Sequence, residues 1–192
     1  MKKSFPAAVH LLTLFVIAVF FTGCAPMPVK IISDASFDSS NYKTYNILPN
    51  EQDNYPDMGL ARNQVNSIIL DTIDKQLANK GYTKIENNPD LLISYYLVGN
   101  AKTDTFVVNQ YYSGLGYQPV PGRSYTRDSL KFGETTYEEG ILIIDMIDTK
   151  SKTRVWHGYL TSRTDVYKDE ERKERRLHNS VVKILTGLPS VY

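Results

Sequence analysis

Tyr137-Glu138-Glu139-Gly140-Ile141-Leu142-Ile143-Ile144-Asp145-Met146-Ile147-Asp148 is followed by Thr149-Lys150-Ser151-Lys152, and then by a second strand-like run from Thr153 to Thr164. Two long runs rich in β-branched and aromatic residues, joined by four polar ones, predict a β-hairpin. Alternate side chains of a strand leave on opposite faces. Ile141, Ile143 and Ile147 then share one face with Asp145 among them, while Leu142, Ile144 and Met146 share the other. A sheet wetted on one side would not carry apolar residues on both. The hairpin therefore belongs in mid-sheet, with Trp156, Tyr159 and Leu160 adding to the core. Asp145 interrupts this apolar strand, and burial would require a partner such as Arg154 or Lys183.

On the N-terminal side, Asn87-Asn88-Pro89 marks a turn into Leu91 to Val98, a run apolar on both faces that reads as a central strand. Before it, Ala61, Val65, Ile68, Ile69, Ile73 and Leu77 recur at spacings of three and four and predict an amphipathic helix. Lys80 and Gly81 close that helix with a cation and a residue free to take positive φ. Val29 to Ile32 and Lys43 to Leu48 read as short strands, and Asn50 to Asp57 as a polar loop. On the C-terminal side, Asp169, Glu170 and Glu171 start a helix whose apolar stripe is Leu177, Val181, Ile184 and Leu188, with Gly187 and Pro189 at its end. The fold expected is α+β: a mixed or antiparallel sheet of about five strands with two helices packed on it and a long Tyr/Gly-rich loop.

That loop is the stretch from Thr103 to Glu134, where Tyr111, Tyr112, Tyr117 and Tyr125 alternate with glycine and proline. One reading is a tyrosine-bearing contact surface for an envelope protein or peptidoglycan, since Tyr offers large area at small entropic cost. The other is a mobile insertion.

The N-terminus carries a different message. Lys2 and Lys3 precede Leu11 to Phe21, apolar except for Thr13, and Phe21-Thr22-Gly23-Cys24 contains the sole cysteine of the chain. A charged start, an apolar segment and small residues before a cysteine match a bacterial lipoprotein signal cleaved at Gly23 and Cys24, with Cys24 the lipidated residue. Phe21 stands where such signals usually carry Leu. From Ala7 the apolar segment has about 15 residues, short of the roughly 20 that a spanning helix needs. Residues 1–23 are then a cleaved signal, 24–29 a lipidated terminus and short tether, and 30–189 one domain with 103–134 as its loop insertion. Removing the first 23 of 192 residues leaves 169, enough for one core. Without Lys2 and Lys3, 20 basic residues face 21 acidic ones, so no basic field favours nucleic acid.

Several of these residues also carry a family resemblance. Phe37 with Tyr42-Lys43-Thr44-Tyr45, Lys80-Gly81-Tyr82, Pro89-Asp90-Leu91-Leu92-Ile93, the run from Tyr137 to Asp145, and Val155-Trp156-His157-Gly158 resemble, in order and spacing, the bacterial lipoproteins catalogued as domain of unknown function 4136. The resemblance runs from about Lys30 to Pro189, and departs at Ile47, where that family often has Trp. It implies a cell-envelope lipoprotein with no assigned activity and supplies no catalytic residues.

Chemistry-bearing patterns are sparse. After the signal only His157 and His178 remain, without neighbouring His or Cys at ligand spacing, so no metal and no cofactor is expected. Ser40-Asn41-Tyr42-Lys43 has the Ser-x-x-Lys spacing of penicillin-recognising enzymes, but it leads into a strand, which would turn the lysine away. Glu138 and Glu139 are adjacent and would point to opposite strand faces. Gly114-Leu115-Gly116 lacks both the third glycine and a following helix to hold a phosphate. A structural ion pair is the main reading of Asp145.

The function expected is a membrane-anchored cell-envelope lipoprotein with a non-enzymatic binding or structural role. It would sit in the lipid bilayer through N-terminal acyl chains, and Ala25 after Cys24 points to the outer membrane, facing the periplasm. The alternative is an enzyme acting on envelope glycans or peptides through a carboxylate such as Asp145. Oligomeric state is left open.

Overall fold

The computed structural model describes residues 29–33, 37–50, 52, 56–98, 139–163 and 169–191. The elements run β1 (Val29–Ser33), a 3-10 turn (Ser39–Asn41), β2 (Thr44–Ile47), α1 (Arg62–Asn79), β3 (Thr83–Lys84), β4 (Leu91–Val98), β5 (Glu139–Asp148), β6 (Arg154–Arg163) and α2 (Glu170–Thr186). They form an α+β fold around one sheet ordered β1-β6-β5-β4-β2-β3.

The hairpin takes the position its two apolar faces require: β5 lies between β6 and β4, antiparallel to both. β1 adds antiparallel to the far side of β6. β2 runs parallel to β4 and to β3, which makes the sheet mixed. Parallel neighbours need a crossover, and α1 lies between β2 and the parallel strands β3 and β4. β3 is a two-residue edge strand with no sequence signal of its own. It arises because Thr83 N–H donates to Lys43 O and Ile85 N–H to Tyr45 O.

Both helices pack on one face of the sheet. Val65, Ile69, Ile73 and Leu77 of α1, and Leu177, Val181, Ile184 and Leu185 of α2, close over Tyr45, Ile93, Tyr95, Ile144, Met146, Trp156 and Leu160. Gly81 takes φ +90 just past α1, as a glycine after a helix end can. Gly158 lies under α2. A Cβ there would stand 2.5 Å from Trp156 and 2.6 Å from Ile184, so only glycine lets helix and strand approach this closely.

The opposite face carries Ser94, Tyr96, Ile141, Ile143, Asp145, Ile147, His157, Tyr159 and Thr161, all buried. Neither of the two described helices packs there. The mid-sheet reading of the hairpin, with apolar residues on both faces, therefore holds.

One part of the 50–57 loop acts as strand edge. β2 leaves β4 after Ile93, and side chains continue its ladder. Asn50 Nδ2 donates to Tyr95 O at 3.3 Å, Gln52 Nε2 donates to Leu97 O at 2.5 Å, and Leu97 N–H donates back to Gln52 Oε1 at 3.1 Å. Gln52 is buried, and Arg62 at the start of α1 donates to its carbonyl. The edge of a central strand is thereby satisfied without another strand.

Candidate functional site

The side chains most able to do chemistry meet on the face opposite α1 and α2, where strand register brings them together. Ser94 pairs with Asp145, and Asp145 with His157, so the three stand in one row across β4, β5 and β6. Arg154 reaches the same row through a backbone irregularity. Register passes from Met146 opposite Trp156 to Ile147 opposite Arg154, leaving Val155 as the extra residue of a β-bulge. Without the bulge, Arg154 would share a face with Trp156. With it, Arg154 turns toward Asp145 and Val155 joins the helix-side core.

His157 Nδ1 lies 2.6 Å from Asp145 Oδ1, and Arg154 Nε lies 3.6 Å from the same oxygen. An ionised carboxylate can only accept, so His157 Nδ1–H is the donor to Asp145. The Tyr159 ring stands 5.3 Å from the His157 ring. Asp145, His157 and Arg154 are 0%, 1% and 5% exposed.

A carboxylate that fixes a histidine through Nδ1 is how a general base is oriented. In this row, however, the carboxylate stands between serine and histidine. A nucleophile needs the imidazole beside its hydroxyl to take the proton, and this order puts Asp145, not His157, beside Ser94. Sequence reasoning named Asp145 and Arg154 as partners, and the structure brings them together. It missed His157, whose approach depends on the β5–β6 register. Lys183 lies exposed on α2, on the side of the sheet away from Asp145.

Two other carboxylates organise the end of the sheet where β2 and β4 begin. Asp90 accepts from Lys43 N–H at 3.0 Å, Thr44 N–H at 2.9 Å and the Thr44 hydroxyl at 2.8 Å. Asp148 accepts from the Tyr42 hydroxyl at 3.0 Å, and from Lys150 and Ser151 N–H at 2.8 and 2.7 Å. Partial burial pushes both carboxyls up. Those hydrogen bonds, with the Lys150 charge near Asp90, outweigh it and hold both below the usual carboxylate range. Next to them Asn88, Asp90, Leu92, Thr149, Lys150 and Lys152 line an open cavity of about 470 Å³.

A second cavity of about 450 Å³ lies between the helices, lined by Asp71, Thr72, Glu171, Glu174 and His178 among others. The Thr72 hydroxyl donates to Ile68 O at 2.6 Å, so His178 Nδ1–H, at 3.0 Å, is the donor to Thr72. No group of three or more metal-ligating side chains forms among the described residues.

Ser40 lies in the 3-10 turn and donates to Asp38 at 2.8 Å, and the Ser-x-x-Lys residues lead into β2 at Thr44, as the sequence suggested. The Lys43 amide is taken up by Asp90. Gly23, Cys24, Tyr111, Tyr112, Tyr117 and Tyr125 lie outside the described residues, as does Glu138. No described helix is long and apolar enough to cross a membrane.

A family model described as domain of unknown function (DUF4136) matches residues 29–190. No curated protein matches the chain. Among solved structures, it is similar to a PDZ domain protein from Parabacteroides distasonis, at 17% identity and TM-score 0.50, over 86% of this chain and 36% of that one. The chain thus spans about a third of that protein, and the likeness concerns the fold alone. A DUF4136 family protein from Bacteroides thetaiotaomicron matches at 15% identity and TM-score 0.48, over 88% and 98% of the two chains. A PelC dodecamer from Paraburkholderia phytofirmans matches at 13% identity and TM-score 0.43, over 86% and 99%.

Proposed function

We propose, from the premise that the chain belongs to the DUF4136 family, that it is a cell-envelope lipoprotein. Acyl chains on Cys24 would hold it in a membrane, and its domain would bind or support envelope components without catalysing a reaction. The observation that carries this is Phe21-Thr22-Gly23-Cys24 behind an apolar run, five residues before the family match begins at residue 29. Acyl chains supply about 0.8 kcal/mol per buried methylene, so more than one chain makes the attachment stable. Ala25 in place of Asp after the cysteine favours the outer membrane, and Tyr111, Tyr112, Tyr117 and Tyr125 are the contact residues of this reading.

The non-catalytic part is supported by the order of the Ser94-Asp145-His157 row and by its burial, which keeps substrate from His157 Nε2. The Nδ1-bound histidine is the observation that favours the other reading, an enzyme acting on envelope glycans or peptides.

Cys24→Ser removes the acylated thiol. The variant should leave the membrane fraction or accumulate as unprocessed precursor, read by fractionation and intact mass. Unchanged processing and membrane retention would refute the anchor.

A further inference from the structure

We propose that the sheet end bearing Val29 faces the lipid surface and that the 149–152 turn points away from it, an inference that rests on the anchoring of Cys24 proposed above. Register fixes what shares that end. Val29 is opposite Leu160, Leu160 opposite Leu142, and Leu142 opposite Leu97. The start of β1, the end of β4, the start of β5 and the end of β6 therefore lie together. Both helices begin there too, because Gln52 beside Leu97 is held by Arg62, and Gln64 donates to Glu170 at 2.9 Å. At the other end lie Leu91, Asp148 and the turn, with the last turn of α1 near the C-terminal residues, where Lys80 Nζ donates to Leu188 O at 2.6 Å.

The tether decides which end is near the membrane. Five residue steps separate Cys24 from Val29 and span at most about 18 Å even when fully extended. From Leu142, level with Val29 through Leu160, to Asp148 at the turn is six strand steps, or about 20 Å, before the turn residues themselves. An inverted domain would have to hold Val29 at least that far above the surface, beyond the tether's reach. A domain lying flat would need an apolar face to bury. The one exposed large hydrophobic among the described residues is Ile31, at 37%. A body tethered beside a wall keeps its attachment end nearest because other poses collide with the wall.

The test uses the full chain, acylated in cells and reconstituted in phosphatidylethanolamine–phosphatidylglycerol vesicles whose headgroups carry a nitroxide quencher. Asp169→Cys, at the start of α2, and Lys150→Cys, in the turn, each introduce one reactive thiol for a fluorophore, since the Cys24 sulfur is occupied by lipid. Both residues are exposed. The label at position 169 should be quenched several-fold more than the label at 150. Equal or reversed quenching in protein that floats with the vesicles overturns the orientation alone. Protein that does not float overturns the anchoring as well.

Discussion

Removing the charge of Asp145 takes from Arg154, at 5% exposure, the carboxylate oxygen 3.6 Å from its Nε. Breaking a buried pair by deleting one partner costs about 3–5 kcal/mol, because the survivor keeps its desolvation penalty. Asp145→Asn preserves shape and should lower the unfolding free energy by about that amount in urea titrations. A loss below about 1 kcal/mol would mean that Arg154 is balanced by some other group. Asp145 was legible as an anomaly because a lone charge in an apolar strand demands an explanation. Its partner His157 was not legible, since nothing local to Trp156-His157-Gly158 says which β5 residue stands opposite. Arg154 reaches the pair only through the bulge at Val155, a one-residue slip that alternation cannot reveal.

At the scale of elements, the helices and long strands follow from periodicity, and their closeness follows from small residues. Gly158 permits α2 to lie against β6, where Trp156 and Ile184 would otherwise meet a methyl group inside van der Waals contact. Gly158→Ala should therefore cost about 1–3 kcal/mol through overpacking, seen as a lower urea midpoint with an unchanged slope. A neutral outcome would show that α2 can shift outward at no cost. β3 and the Asn50–Gln52 edge escaped sequence reading for a common reason. Two residues carry no periodicity, and polar side chains that imitate a strand look like any loop until Leu97 is beside them.

Across the whole molecule, acid should act first where residues 42–44 meet the start of β4 and the end of β5. Asp90 and Asp148 tie residues 42–44 to that end of the sheet, and their folded carboxyls lie below the usual range. A depressed carboxyl stabilises the fold above its unfolded value near pH 4, and that stability is lost as pH falls through the folded value. Denaturant midpoints should hold from neutrality to about pH 5 and fall below about pH 4. Asp90→Asn should be weaker at neutral pH and less sensitive to acid. An acid response identical to that of the unsubstituted protein would remove Asp90 from this account.

The sequence by itself determined the α+β class, both helices, the central hairpin and the family, because periodicity, end signals and motif order are local properties of the chain. It also carries the Phe21-Thr22-Gly23-Cys24 pattern from which anchoring is proposed. Tertiary structure alone decided strand order, the parallel placement of β2, the face on which both helices pack, and the meeting of Arg154, Asp145 and His157. Those features depend on register between residues distant in the chain, where a shift of one position exchanges the two faces of a strand. Only the folded sheet fixes that register.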